Sequence, residues 1–301
     1  MKILITGASG FVGKNLSTFL QNKGLAIVPI SLRNDGWENN IQKNSGVIIH
    51  LAGKAHDTEN TSAEEEYFKI NRDLTIKIFE EFLNSNSKDF FYFSSVKATA
   101  DTIDGTLDED HYSNPKTPYG KSKLEAEKHL LSQELPKDKR LFIIRPCMIH
   151  GPGNKGNLNL LYKIVEKGLP WPLAAFENKR SFLSIDNLNF LINQMMVQED
   201  LPSGIYNFAD DKAISTNELI STVNVALEKK ARLWNISKNW IEKIAVFGDK
   251  LHLPLNSERL KKLTESYVVS NQKIKSALGI EKLPMSVEEG LIKTIKSFKT
   301  K

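Results

Sequence analysis

The chain has 301 residues, 40% of them hydrophobic and 26% charged, the balance of an ordinary globular protein with room for one large domain or two intimate ones. Its lone cysteine, Cys147, rules out an internal disulfide and points to a reducing compartment. No apolar run nears the ~20 residues that span a bilayer, and the amino terminus lacks the longer apolar stretch of a signal peptide, so a cytoplasmic protein without a membrane span is expected. The formal charge of +5 comes without a basic stripe interleaved with aromatics; the lysines of 291–301 suit a solvated helix face, and nucleic acid is not an expected partner.

In chain order, KILIT (2–6), AIVPIS (26–31), VIIHL (47–51), FFYFS (90–94) and LFIIR (141–145) are short runs apolar on both faces. Such strands belong to a parallel sheet covered by helices. Helix-period apolar positions fill 11–22, 63–86 and 118–134 between them. This alternation predicts an α/β fold, a Rossmann-type doubly wound parallel sheet over residues 1–155. GPGNKGN (151–157) reads as a crossover loop. A smaller, mostly helical region over 156–301, partly interleaved with the first, is expected to follow. It has helices near 158–168 and 187–198, strands at RSFLSI (180–185) and GIYNF (204–208), and a Ser- or Thr-capped helix from STNEL (215–219). A short extended piece is expected near SYVV (266–269). WNISKNWIEKIAVFGDKLHL (234–253) is compatible with a cap over a pocket or with a cover over the core.

TGASGFVG (6–13) stands directly behind the first strand and opens the first helix. The spacing Gly7, Gly10, Gly13 suits a plain tight turn. It equally suits a cradle in which the first glycine permits the turn, the second admits a pyrophosphate and the third lets strand and helix pack closely. Ser9, Phe11 and Val12 share that loop and are expected to line the same dinucleotide. The second strand ends in Ser31 and Arg33, where an acid would select the ribose of NAD. Their character tilts the expectation toward NADP without excluding NAD.

NPKTPYGKSKLEAEKHL (114–130) carries the chemistry. Thr117 is a plausible N-cap and Pro118 suits the first turn, so Tyr119 and Lys123 fall on one helix face. Two such groups ~4 Å apart attract by about 4 kcal/mol at an effective dielectric near 20, before desolvation is subtracted. That would lower the phenol's pKa and make it a proton carrier for a sugar hydroxyl. Tyr-x-x-x-Lys alone is equally an amphipathic helix face. Gly120 inside this helix implies a close neighbour. YFSSVKA (92–98) adds a serine at the carboxyl end of a strand, where ligands of open parallel sheets bind.

Together with HLAG (50–53), KINRD (69–73), IIRPCMIHGPG (143–153) and RSFLSIDNL (180–188), these motifs resemble the extended short-chain dehydrogenase/reductase family, in its NAD-dependent epimerase/dehydratase branch. The resemblance runs nearly end to end. It implies Gly7, Gly10 and Gly13 on the pyrophosphate, and Leu51, Ala52, Gly53 and Pro146 beside the cofactor. It implies Ser95, Tyr119 and Lys123 as the catalytic set, and Arg180 and Asn157 toward a nucleotide-sugar substrate. Asn71 matches the family's helix asparagine and is equally a packing residue; His56 and His150 receive no role. Val96 and Lys97 stand where dehydratases carry an acid pair, so dehydration is not expected. Met148 and His150 depart from the family's Asn and Tyr. The implied activity is hydride transfer at C4 of a nucleotide-activated hexose, with a UDP-linked one expected. A 4-epimerase leads, an NADPH-dependent 4-keto-6-deoxy-sugar reductase is the alternative, and a non-catalytic dinucleotide sensor is a further one. A homodimer through 63–86 and 118–134 is also implied.

Overall fold

The apolar runs of the first half pair as parallel strands in the computed structural model, which describes residues 2–33, 35–42, 46–54, 63–154, 158–251 and 256–298. Strands β1 (Lys2–Thr6), β2 (Ala26–Ile30), β3 (Gly46–His50) and β4 (Asp89–Phe93) alternate with helices α1 (Phe11–Asn22), α2 (Glu38–Gln42), α3 (Glu64–Phe68) and α4 (Leu74–Leu83). Next come β5 (Thr106–Leu107), α5 (Pro118–Leu131), β6 (Arg140–Pro146), β7 (Met148–His150), α6 (Leu158–Glu166), β8 (Phe182–Ser184), α7 (Ile185–Val197) and β9 (Gly204–Phe208). The chain closes with α8 (Thr216–Ala226), α9 (Lys238–Leu251), α10 (Ser257–Thr264), β10 (Val268–Val269), α11 (Gln272–Ala277) and α12 (Val287–Lys296).

The main sheet runs β2-β1-β3-β4-β6-β9, all neighbours parallel. Its strand order reverses at β1, so the carboxyl ends of β1 and β3 flank the switch point where such sheets bind ligands. Side chains of successive residues point to opposite faces. Ile3, Ile5, Phe91 and Phe142 therefore join α1 and α7 on one side, while Leu4, Phe90, Tyr92 and Ile143 join α4 and α5 on the other. A third apolar cluster, built from α6, α8, α9 and α12, fills the distal half.

Two expectations are corrected. The helix expected over 63–86 is interrupted at Lys69–Asp73 by one wider π turn. The extended piece at 180–185 shortens to β8, which pairs with β7, and Ser184 caps α7 with its side chain. GIYNF, from the region expected to interleave with the first, completes the main sheet as β9 against β6. The cap expected at STNEL is a full capping box of Ser215 and Glu218. Asn157 and His56 lie outside the described residues.

Candidate active site

The turn after β1 is built by its glycines. Gly7 adopts φ +68, and a Cβ there would lie 2.7 Å from the Ala52 amide nitrogen, inside the loop that follows β3. A Cβ on Gly13 would lie 2.3 Å from the Gly7 carbonyl, so the turn folds tightly onto the first turn of α1. That closeness is within the loop rather than between helix and strand, a small correction to the expected role. Gly10 is exposed and is the N-cap of α1 with no side chain capping it, while Ser9 beside it is also exposed. An uncapped helix N-terminus rimmed by backbone at the switch point fits the pyrophosphate of a dinucleotide. Phe11 and Val12 are half-buried at its edge, and Ser31 and Arg33 stand exposed just past β2.

The loop after β3 is pinned from below. Asn71, fully buried in the π turn, accepts from the Lys54 amide at 2.8 Å and donates to the Lys54 carbonyl at 3.1 Å and to Ser122 Oγ at 3.2 Å. Of the two readings left open for Asn71, the structure favours positioning: it locks loop, π turn and α5 together. A Cβ on Gly53 would lie 3.0 Å from Asn71 Oδ1 and 3.2 Å from Lys123 Nζ.

Below this loop runs a polar chain that the sequence did not disclose. Thr75 Oγ1 donates to the Asn71 carbonyl at 2.8 Å, so it accepts from His50 Nε2 at 2.9 Å. That leaves His50 Nδ1 as acceptor for Thr6 Oγ1 at 2.6 Å, and Thr6 in turn accepts from the Ala52 amide at 3.2 Å. The chain closes with a proton on His50 Nε2, and the neutral Nε2–H tautomer gives every link a donor and an acceptor. Burial, aided by the Lys123 charge, indeed holds its pKa down at about 3.

Helix α5 delivers the reacting groups. Thr117 caps it by accepting from the Gly120 amide, and Pro118 occupies the first turn. A Cβ on Gly120 would lie 2.4 Å from the Lys97 carbonyl; the close neighbour implied by this glycine is the 3₁₀ turn Val96–Ala98. Through that contact Tyr119 comes to Ser95, which hydrogen-bonds the phenol. The ring stands edge-on to Tyr67, 6.3 Å between centroids.

The expected acidification of Tyr119 by Lys123 is not what the structure shows. Burial pushes the phenol up, Ser95 opposes this by hydrogen bonding, and Tyr67 adds to the rise. Lys123 instead donates to the Phe93 carbonyl at 2.8 Å and sits 4.9 Å from the Tyr92 ring centroid. Burial brings its own pKa down to about 8, with Glu127 opposing.

One turn further along α5, Glu127 takes a two-pronged bond from Arg145 on β6, with Nη2 to Oε2 at 2.5 Å and Nε to Oε1 at 3.0 Å, and also accepts from Ser94 Oγ. Both charges are almost wholly buried. This pair fastens α5 to the carboxyl ends of β4 and β6, beside Pro146, the last residue of β6.

On the distal side, Lys97 donates to the Asp101 carbonyl at 2.6 Å and lies 4.0 Å from the Tyr267 ring centroid. Arg180 is its cationic neighbour and, with Lys97, feels Glu265. The Arg180 guanidinium donates to the Lys262 carbonyl of α10. Contacts thus link the glycine turn to the β3 loop, the β3 loop to Lys123, and Tyr119 to Ser95, while Arg180 stands near enough to Lys97 for their charges to interact. His150 is structural: its Nδ1 bonds Thr294 on α12 at 2.9 Å. Among the described residues no group of His, Cys, Asp and Glu is arranged to hold a metal.

A switch-point glycine cradle facing a Ser/Tyr/Lys group on neighbouring elements defines a Rossmann-type dinucleotide-fold protein of the dehydrogenase kind. The chain belongs to the NAD dependent epimerase/dehydratase family, which matches residues 3–209. It is 31% identical over 325 residues to a UDP-glucose 4-epimerase of Vibrio cholerae, covering 98% of this chain and 95% of that one. It is 27% identical over 248 residues to the N-acetyl-alpha-D-glucosaminyl-diphospho-ditrans,octacis-undecaprenol 4-epimerase of Escherichia coli O157:H7, covering 76% of this chain and 73% of the relative. Among solved structures, MoeE5 in complex with UDP-glucose and NAD superposes with a TM-score of 0.76 at 20% identity, covering 100% of this chain and 99% of its own.

Proposed function

We propose that this chain is an NAD(P)-dependent oxidoreductase acting at C4 of a nucleotide-activated hexose, and that it works as a 4-epimerase. The observation that carries the reading is the meeting of Ser95 and Tyr119 in the crevice between the glycine turn and the Gly53–Lys123 contact. Gly7, Ser9, Gly10, Phe11, Val12 and Gly13 would hold the pyrophosphate. Leu51, Ala52, Gly53 and Pro146 would line the rest of the dinucleotide, and Lys123 its nicotinamide ribose. When bound, the nicotinamide supplies the hydride acceptor and donor. Tyr119 takes the proton of the 4-hydroxyl and later returns it, and Ser95 donates to the same substrate oxygen, steadying its charge. Arg180 faces the diphosphate of the substrate, a bidentate task suited to guanidinium. Asn157 is assigned to the same side. Residues 1–155 would carry the dinucleotide and 156–301 the sugar. The outer faces of α3, α4 and α5 would pair two copies as a cytoplasmic homodimer.

A second reading, a 4-keto-6-deoxy-sugar reductase using NADPH, is favoured by Ser31 and Arg33 directly behind β2, where no acid stands to accept from a ribose 2′-hydroxyl. Purified protein offered UDP-glucose and UDP-N-acetylglucosamine without added dinucleotide decides between them. Turnover there marks the epimerase, and NADPH loss matched one to one by a 4-keto sugar marks the reductase. A polyprenyl-diphosphate N-acetylhexosamine joins the donors, because one relative's name carries that group in place of the nucleoside. Dinucleotide binding with no turnover of any donor would leave the sensor. Tyr119→Phe is expected to lower turnover by about 10²–10⁴-fold while dinucleotide affinity stays nearly unchanged. Full activity in that variant would end the proposed mechanism.

A further inference from the structure

We propose that α9 is a docking helix that seats this protein on the surface of a bilayer containing anionic lipid. The helix has two apolar faces. Ile241, Ala245 and Gly248, spaced i, i+4, i+7, are buried against the distal core. Trp240, Ile244, Phe247 and Leu251, spaced i, i+4, i+7, i+11, form a second stripe that is 65%, 46%, 58% and 55% exposed. The core requires only the first face; the second leaves large apolar side chains in water, where a surface helix ordinarily carries polar ones. Of the two roles open for 234–253, the inner face covers the core, and the outer stripe is left without one.

Charge indicates what the stripe meets. At about 100° per residue, Lys243 and Lys250 border the stripe on its solvent side, whereas Glu242 and Asp249 fall on the opposite side of the helix. Lys243 Nζ lies 5.7 Å from the Trp240 ring centroid, and Asp249 is occupied in binding Ser257 at the start of α10. Trp234, 55% exposed, adds a further aromatic just before the helix. Segment 229–262 holds nine Lys and Arg against three Asp and Glu, so it carries more positive charge than the whole chain's net +5. An apolar strip of Trp, Phe, Ile and Leu edged by lysines is the composition that lies in the headgroup layer, rings in the acyl boundary and ammonium groups among phosphates. Two copies pairing stripe to stripe would bring their own lysines together; anionic headgroups would not. The side of α9 opposite the stripe is tied to α10 through Asp249, and α10 supplies the carbonyl that receives Arg180.

The test is flotation of the full chain with large vesicles in about 0.1 M salt, a condition that screens long-range attraction to a Debye length near 10 Å. One set is pure phosphatidylcholine; the other contains one half phosphatidylglycerol. Wild type is expected to float with the anionic vesicles and at least tenfold less with the neutral ones. The double variant Trp240→Gln/Phe247→Gln, and separately Lys243→Glu/Lys250→Glu, are expected to lose at least tenfold of that partitioning. Melting temperature and dinucleotide binding, which do not draw on the exposed stripe of α9 or its two lysines, should stay at wild-type values. Equal flotation of wild type and both variants, or none by wild type, overturns the proposal. So does a stripe-dependent dimer in sedimentation velocity that Trp240→Gln/Phe247→Gln abolishes. The readout is independent of catalysis, so it stands or fails apart from the assigned reaction.

Discussion

His50 shows how a single buried residue ties the crevice to the pH of the medium. Its ring is neutral in the folded protein, with a pKa held near 3 by burial, whereas an unfolded histidine titrates near 6.5. Between those values the unfolded chain binds more protons than the native one, so stability rises with pH there and is lost as pH falls from 6.5 toward 3. The slope reaches about 1.4 kcal/mol per pH unit from this residue alone. Urea midpoints at pH 7, 5.5 and 4.5 should therefore decline more steeply for wild type than for His50→Gln, which takes up no proton. Parallel declines would show that another group carries the acid sensitivity. Tyr119 and Lys123 were legible from their spacing and from Ser95 upstream. His50, Thr6 and Thr75 were not, because their chemistry lies in hydrogen bonds across 44 and 25 positions.

Helix α5 carries two ion pairs of different worth. Glu127 meets Arg145 in the interior and also receives Ser94, while Glu125 meets Arg72 at 2.7 Å on the surface. Removing one partner of a buried pair strands the other charge in a low dielectric and costs about 3–5 kcal/mol, whereas an exposed pair contributes roughly 0–1 kcal/mol. Urea denaturation of Glu127→Gln and Glu125→Gln should separate by that margin. Similar losses in the two variants would mean that the interior pair is well solvated. The expected helix over 118–134 matched α5 because its cap and proline are local signals. The break at Lys69–Asp73 was not foreseeable from periodicity, since Asn71 is drawn there by the Lys54 backbone 17 positions away.

Across the molecule, the main core ignores the boundary drawn at residue 155. Leu188, Leu191, Ile192 and Met195 of α7 belong to the same buried cluster as Ile3, Phe91 and Phe142, and β9 closes the sheet. A fragment ending at 155 would leave that face of the sheet without α7, covered only in part by α1, and the outer edge of β6 unpaired. It is expected to lack the single cooperative thermal transition of the full chain, measured by circular dichroism; a cooperative melt of the fragment would contradict this. The parallel sheet, the glycine turn and the Tyr–Lys helix followed from the sequence by itself, because period, caps and spacing act over a few residues. Contacts distant in the chain decided the rest. Burial raised the phenol that a neighbouring ammonium was expected to lower, the Lys54 backbone opened the π turn, and β9 crossed into the first half. Packing likewise chose which apolar face of α9 met the core and which was left to the solvent. Each of these depends on what a side chain meets in space, which no local pattern records.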